Sequence, residues 1–170
     1  MIEPEIDPED ALKIAQKHPK VRELAKGRSR AVLVRPKPAH RGEPDDKSQV
    51  VVGLYDYDEN RSVIALLDAK TKKVTAVEVA PASFQLSEEE RKEAEALAAD
   101  DPRVKKFLGK RKMNPLTRLY FPPGTDREPR PHRFAIVFLR PTPTRRQYAV
   151  VDLSERRIAD VLTHRDLTGR

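Results

Sequence analysis

Apolar and polar positions follow the same order twice along this chain, and each copy predicts the same series of elements. Residues 11–27 align with residues 94–110 at an offset of 83, and residues 50–77 align with residues 134–161 at an offset of 84. Such a repeat indicates two copies of one structural unit, and one residue inserted in a connection explains the change of offset. The identical pairs are Ala11/Ala94, Ala15/Ala98, Pro19/Pro102, Val21/Val104, Arg61/Arg145, Ala65/Ala149, Asp68/Asp152 and Val77/Val161.

Each copy begins with a pattern that predicts a helix. Asp7 is a suitable N-cap because its carboxylate can accept backbone N–H bonds, and Pro8 fits the first helical position. In the second copy, Ser87 and Glu90 have the spacing of a capping box, and Leu86 in front of them can act as a hydrophobic staple.

A proline interrupts each predicted helix. Pro19 and Pro102 lack the N–H group that the helix interior needs, so we expect each proline to break or kink its helix, with the corner at His18-Pro19 or Asp101-Pro102. The short second part should end near Gly27 in the first copy and near Gly109 in the second, since glycine favours the helix C-terminus.

Four segments rich in β-branched residues follow each helix, and they predict antiparallel strands with one buried face. Asp68 and Asp152 fall at the same turn position, where a carboxylate can accept backbone N–H bonds and hold a tight turn. The predicted strands are residues 29–36, 49–58, 61–69 and 73–80, then 116–122, 133–141, 146–154 and 157–164.

The elements together predict an α+β chain of two repeated units. The first unit covers residues 7–80, the second covers residues 86–166, and residues 81–90 form the linker and helix cap. We expect each unit to pack a kinked helix across a four-stranded antiparallel sheet, which is a common two-layer arrangement.

Charge and composition limit the chemistry. Residues 86–170 contain 19 Lys/Arg and 13 Asp/Glu, a net charge of +6, whereas residues 1–85 contain 15 and 14, a net charge of +1. The excess is modest and no nucleic-acid reader motif accompanies it, so we do not expect nucleic-acid binding. The absence of cysteine excludes disulfides, thiol catalysis and cysteine-ligated metals.

The chain has no apolar run of the length that crosses a membrane, so we expect no membrane insertion. Its first residues are acidic and amphipathic, unlike a signal peptide. These features favour a cytoplasmic protein for the chain as given, and secretion stays open if a signal was removed.

The segments "YDYDENRSVIALLDAKTKKVTAVEV" and "LSEEERKEAEALAADDPRVKKFLG" resemble the tandem N-terminal domains of copper amine oxidases. The resemblance covers about residues 7–165 and rests on the order of elements and the duplicated pattern. It implies two small cystatin-like α+β domains, which in that family precede a large catalytic domain. This chain has no room for that domain, so the resemblance implies a non-enzymatic protein.

The residues of amine oxidase chemistry do not come together in this sequence. That family binds copper through three histidines, two of them in a His-x-His pair, whereas this chain has four separated histidines. We therefore expect no catalytic residues, no metal and no cofactor. The four are His18, His40, His132 and His164.

Tyr55 and Tyr57 lie in a Tyr-Asp-Tyr run that is close to the quinone-forming motif Asn-Tyr-Asp/Glu-Tyr of the same family. Leu54 stands where that motif has asparagine, so we interpret the run as a strand end. The two tyrosines should lie on the face opposite Leu54, as a half-exposed aromatic patch that faces a partner.

A basic segment after the helices of the second unit is the other candidate contact. Its cations surround a short apolar core and suit phosphates or an acidic protein surface. The alternative is a solvated helix end whose cations complement the helix C-terminus. The cations are Lys105, Lys106, Lys110, Arg111, Lys112 and Arg118.

The leading hypothesis is a non-catalytic tandem-domain protein that acts as an accessory or protein-interaction module. One alternative is a subunit or relative of copper amine oxidase, with the catalytic domain on another chain. Another is a cystatin-like protease inhibitor, since residues 49–53, "QVVVG", match the Gln-x-Val-x-Gly motif that cystatins present at a hairpin tip. The expected partner is another protein, and the oligomeric state stays open.

Overall fold

The computed structural model describes residues 5–38, 46–80, 85–122, 132–142 and 145–168. The chain divides into two compact units, Met1–Gln85 and Leu86–Arg170. Each unit has one four-stranded antiparallel sheet with its strands in chain order, together with helices. The predicted α+β fold of two repeated units is confirmed. Residues 81–84 of the predicted linker lie outside the described residues.

Both units present two helices and then four strands. The first unit contains α1 (Pro8–Lys17), α2 (Pro19–Leu24), β1 (Ser29–Lys37), β2 (Asp46–Asp56), β3 (Arg61–Asp68) and β4 (Lys73–Ala80). The second contains α3 (Glu88–Asp100), α4 (Pro102–Leu108), β5 (Leu116–Tyr120), β6 (Phe134–Leu139), β7 (Gln147–Asp152), β8 (Arg157–Thr163) and α5 (His164–Thr168).

The helices begin where the capping residues predict. The Asp7 carboxylate accepts the Glu9 N–H at 2.8 Å. At the start of α3, the Ser87 hydroxyl accepts the Glu90 N–H at 3.1 Å while the Glu90 carboxylate accepts the Ser87 N–H at 2.8 Å. Two N–H groups that have no partner inside the helix are thereby satisfied.

The prolines separate two helices in each unit instead of kinking one. His18 and Asp101 adopt extended backbone, with ψ of 130° and 129°, between the two helices of their units. This agrees with the exclusion of the helical conformation just before proline. The C-cap of α4 is Gly109, with φ of +62°, whereas the C-cap of α2 is Ala25 rather than Gly27.

Small helical residues allow each helix pair to lie close to its sheet. Ala11, Ala15 and Val21 are buried against the inner face of the first sheet. Ala94, Ala98 and Val104 are buried in the second unit, where α3 packs on β5, β6, β7 and β8. The inner-face residues are Val50, Val52, Leu54, Val63, Ala65 and Leu67 in the first unit, and Ala135, Val137, Leu139, Ala149 and Val151 in the second.

Strand pairing corrects one part of the sequence alignment. Gln49 pairs with Asp68 and Phe134 pairs with Asp152, so β2 matches β6 at an offset of 85. The predicted offset of 84 was therefore wrong for this strand. The difference matters because a slip of one residue moves every side chain to the other face of the sheet. The inward-facing Val50 therefore corresponds to Ala135.

Candidate functional site: the outer face of the second sheet

Tyr55 and Tyr57 do not form the half-exposed patch that the sequence predicts. Their exposed fractions are 3% and 5%, and their rings meet edge to face with centroids 5.1 Å apart. The Arg28 guanidinium lies 4.3 Å from the Tyr57 ring centroid, and the Tyr57 N–H donates to the Arg28 carbonyl at 2.9 Å. These contacts cover the end of β2, so the prediction of a partner-facing patch is wrong.

The predicted basic segment is exposed, and its six cations are spread over α4, the turn that follows α4, and β5. Lys105 lies in α4, and its ammonium group is 3.2 Å from the Asp100 carboxylate. Arg118 lies on β5, apart from the turn that follows α4. The other four cations, Lys106, Lys110, Arg111 and Lys112, are exposed in α4 and in that turn.

Residues 49–53, which match the cystatin motif, lie inside β2. Val50 and Val52 are fully buried in the core of the first unit. The segment therefore occupies a paired strand, unlike the hairpin tip at which cystatins present this motif.

One histidine–carboxylate pair was missed by the sequence reasoning. His132 Nδ1 lies 2.6 Å from Asp152 Oδ2, and His132 Nε2 lies 3.8 Å from Glu155 Oε1. Asp152 also accepts the Glu155 N–H at 2.9 Å, as predicted for a turn carboxylate. No group of three metal-binding side chains occurs within the described ranges, and the pair joins the start of β6 to the β7–β8 turn.

A buried ion pair was also missed. Arg133 donates to both carboxylate oxygens of Glu90, at 2.6 and 3.0 Å, and neither side chain is more than 1% exposed. Glu90 was predicted only as a capping residue, so its second role had no local signal in the sequence. The bidentate geometry links the start of α3 to the start of β6.

The outer face of the second sheet is more apolar than a solvated sheet face. One row across its four strands consists of Leu116, Phe138, Tyr148 and Leu162. Leu116 is 51% exposed, and the rings of Phe138 and Tyr148 meet edge to face with centroids 5.3 Å apart. The next row consists of Arg118, Ile136, Val150 and Asp160, with the two charges at opposite edges.

Two open hollows lie on this outer face. One of about 260 Å³ contains Leu116, Phe138 and Tyr148 in its wall, with Arg140 and Arg146 at its margin. The other, of about 420 Å³, lies between α5 and the sheet. Its wall includes Tyr120, Phe134, Val150, Leu162 and Leu167. Together they give a partner both apolar surface and arginine donors.

The equivalent row of the first sheet differs in size and charge. It consists of Leu33, Gly53, Ile64 and Glu78. Gly53 therefore takes the place of Phe138, and Glu78 takes the place of Leu162. The hollow on this face, of about 230 Å³, has Val51, Ile64, Leu66 and Ala76 in its wall and no aromatic residue. The aromatic apolar row is thus particular to the second unit among the described residues.

No helix among the described residues combines the length and apolar character needed to cross a bilayer. Comparison with known proteins gives no match to a family model and no match to a curated protein. The resemblance to the N-terminal domains of copper amine oxidases therefore stays a prediction.

Proposed function

We propose that this protein is a non-catalytic protein-interaction module that docks its partner on the outer face of the second sheet. The observation that carries the proposal is the row of Leu116, Phe138, Tyr148 and Leu162, with Leu116 half exposed at its edge. Phe138 and Leu162 are partly exposed beside it, whereas Tyr148 is buried at 6% exposure. Apolar surface that stays accessible in a folded unit is typical of an interaction site.

The composition of this face fits the residues that contribute most to protein–protein binding. Tyrosine and arginine are enriched among such residues, and they work best around an apolar centre that excludes water. Arg118 lies exposed at one edge of the face, and Arg140 and Arg146 lie exposed at one end. The buried Tyr148 supports the Phe138 ring. An acidic and apolar partner surface would match both properties.

The buried polar groups of the second unit bind other groups of the fold, and this supports a non-catalytic role. Glu90 and Arg133 bind each other, and Asp152 binds His132 and a turn N–H group. Each of these groups holds two elements together and has partners that belong to the fold. This leaves the outer face as the surface with the strongest functional signal.

Photo-crosslinking in the producing cells tests the proposal. A benzophenone amino acid at position 116 should yield one discrete product with a partner protein, and the Leu162→Glu change should remove that product. This change gives the second sheet the glutamate that the first sheet has at the equivalent position, so we expect the unit to stay folded.

A benzophenone at position 33, the equivalent position of the first sheet, is the matched control and should give no such product. Equal products at positions 33 and 116, or no product at position 116, would contradict the proposed function.

A further inference from the structure

We infer that the hollow at the Arg140 end of this face binds an acidic side chain that stands beside an aromatic or large aliphatic residue in a partner protein. This inference rests on the proposed function and specifies the chemistry of the docked segment. It draws on two features of the 260 Å³ hollow: its charge and its apolar wall.

The charge comes from the connection between β6 and β7. Arg140 follows the last residue of β6, and Arg146 precedes the first residue of β7. Residues 140–147 contain three arginines and no acidic residue. Arg140 and Arg146 are exposed, and within the described residues neither has a carboxylate within ion-pair distance. Two guanidinium groups at one margin favour a carboxylate, which they can bind through paired N–H donors.

The apolar wall lies next to these arginines. Phe138 and Tyr148 meet edge to face, and Leu116 extends the wall toward β5. An aromatic or aliphatic side chain on these residues loses contact with water and strengthens the adjacent ion pair, because charges attract more strongly where water is excluded.

The charge and the apolar wall together favour a protein segment as the ligand. Neighbouring residues of such a segment supply a carboxylate for the two arginines and an apolar side chain for Phe138 and Leu116.

A pair of small peptides tests this chemistry on the full chain. We expect acetyl-Asp-Phe-amide to bind with a dissociation constant on the order of 1 mM, as suits a small ligand in an open hollow. The neutral isostere acetyl-Asn-Phe-amide should bind at least about tenfold more weakly. Amide chemical-shift changes in a ¹⁵N-labelled sample report both affinities, and they should concentrate at Phe138, Gln147 and Tyr148.

Two double variants complete the test. Arg140→Gln with Arg146→Gln should weaken binding of the aspartyl peptide to the level of the asparaginyl peptide. Lys70→Gln with Lys73→Gln removes two exposed cations from the first unit and should leave the affinity unchanged. A dispersed spectrum for each variant checks that it is folded, so a loss of binding cannot come from unfolding.

Several outcomes would overturn the inference. They are equal affinity for the two peptides, binding that survives loss of both arginines, shift changes centred on residues 110–112, and a stable dimer whose formation depends on Arg140 and Arg146. The last result would make a second copy the occupant, and sedimentation velocity over a range of concentrations detects it.

The inference and the proposed function can fail separately. A discrete crosslink at position 116 with no peptide selectivity would reject only the acidic segment. Selective peptide binding without any crosslinked partner would reject the docking function and leave the chemistry of the hollow in place.

Discussion

The two units have the same elements in the same order, yet they differ in what their equivalent positions do. In the first unit, Gly53 and Glu78 lie in the outer row of the sheet, whereas the second unit has Phe138 and Leu162 there. The second unit also contains the buried pair of Glu90 and Arg133. The inner faces, by contrast, are aliphatic in both units. The comparison indicates that the inner face maintains the fold and the outer face distinguishes the units.

The buried ion pair is the largest difference in stability that we expect between the units. Arg133→Met leaves the Glu90 carboxylate buried and unpaired, which should destabilise the second unit by about 3–5 kcal/mol. Hydrogen exchange of amides in β6 and β7 measures the loss locally, and amides in β2 and β3 should be less affected.

Arg156→Met is the matched control, because Arg156 pairs with Glu93 at 2.6 Å while its own side chain is 61% exposed. The cost of an exposed pair is at most about 1 kcal/mol. Equal losses for Arg133→Met and Arg156→Met would show that burial of the Glu90 pair has no special importance.

The equivalent turn aspartates provide the next comparison. Asp152 is buried and binds His132, whereas the Asp68 carboxylate accepts the Thr71 N–H at 2.7 Å in an exposed turn. Asp152→Asn should lower the free energy of unfolding by about 1–3 kcal/mol, because one buried oxygen is replaced by an amide NH₂ group facing the turn N–H or the imidazole.

Asp68→Asn should cost less, since water can replace the lost contacts. Denaturant unfolding of the two variants gives the comparison. A larger loss for Asp68→Asn than for Asp152→Asn would contradict the assignment of Asp152 as the turn carboxylate that contributes more to stability.

A left-handed residue occurs at the same position of the β3–β4 and β7–β8 turns. Lys72 has φ of +55° and Arg156 has φ of +56°, a conformation that favours glycine. Lys72→Gly should therefore stabilise the first unit by up to about 1 kcal/mol. Arg156→Gly should gain less, because it also removes the ion pair with Glu93. Thermal unfolding midpoints measure both changes, and a decrease for Lys72→Gly would contradict the expected relief.

The smallest difference that we expect between the two units is in how their stability falls at low pH. The Thr71 N–H and hydroxyl bonds hold the pKa of Asp68 below its ordinary value of 3.8. A carboxylate whose pKa is lowered on folding contributes stability above its unfolded pKa, and this contribution is lost as the pH falls. Below about pH 4, Asp68→Asn should therefore reduce the slope of unfolding free energy against pH.

Asp166 in the second unit is the matched case, because the hydroxyl and N–H of Thr163 lower the pKa of its carboxylate. Asp166→Asn should change the acid slope in the same direction. A steeper acid slope in either variant would contradict the sign of these shifts.

Local signals allowed much of the fold to be predicted. The cap at Asp7, the capping box at Ser87 and the interruptions at Pro19 and Pro102 act within a few residues, so the sequence contains their full cause. The predicted alignment of β2 with β6 was wrong because the alternation of apolar and polar residues does not specify how each strand pairs with its neighbour. Val50 and Phe134 are both large and apolar. Only strand pairing shows that Val50, opposite Leu67, faces inward, whereas Phe134, opposite Asp152, lies on the outer face.

The candidate site was less predictable. Tyr55 and Tyr57 were expected to be half exposed, but both are buried: Arg28 lies over the Tyr57 ring, and the two tyrosine rings meet each other. Phe138, Tyr148 and Leu116 were predicted as strand residues only, because they come together across three strands that are distant in sequence. Alternation indicates that a face exists, but it does not indicate which face packs on the helices.

The sequence by itself determined two α+β units, their helix starts and interruptions, and the turn carboxylates, because these features depend on neighbours along the chain. Only the tertiary structure decided that Arg133 reaches Glu90, that Tyr55 and Tyr57 are covered, and that Leu116 and two arginines are exposed beside an aromatic row on the second sheet. The physical reason is distance along the chain. Strand pairing and helix packing bring together residues whose spacing in the sequence contains no trace of their contact.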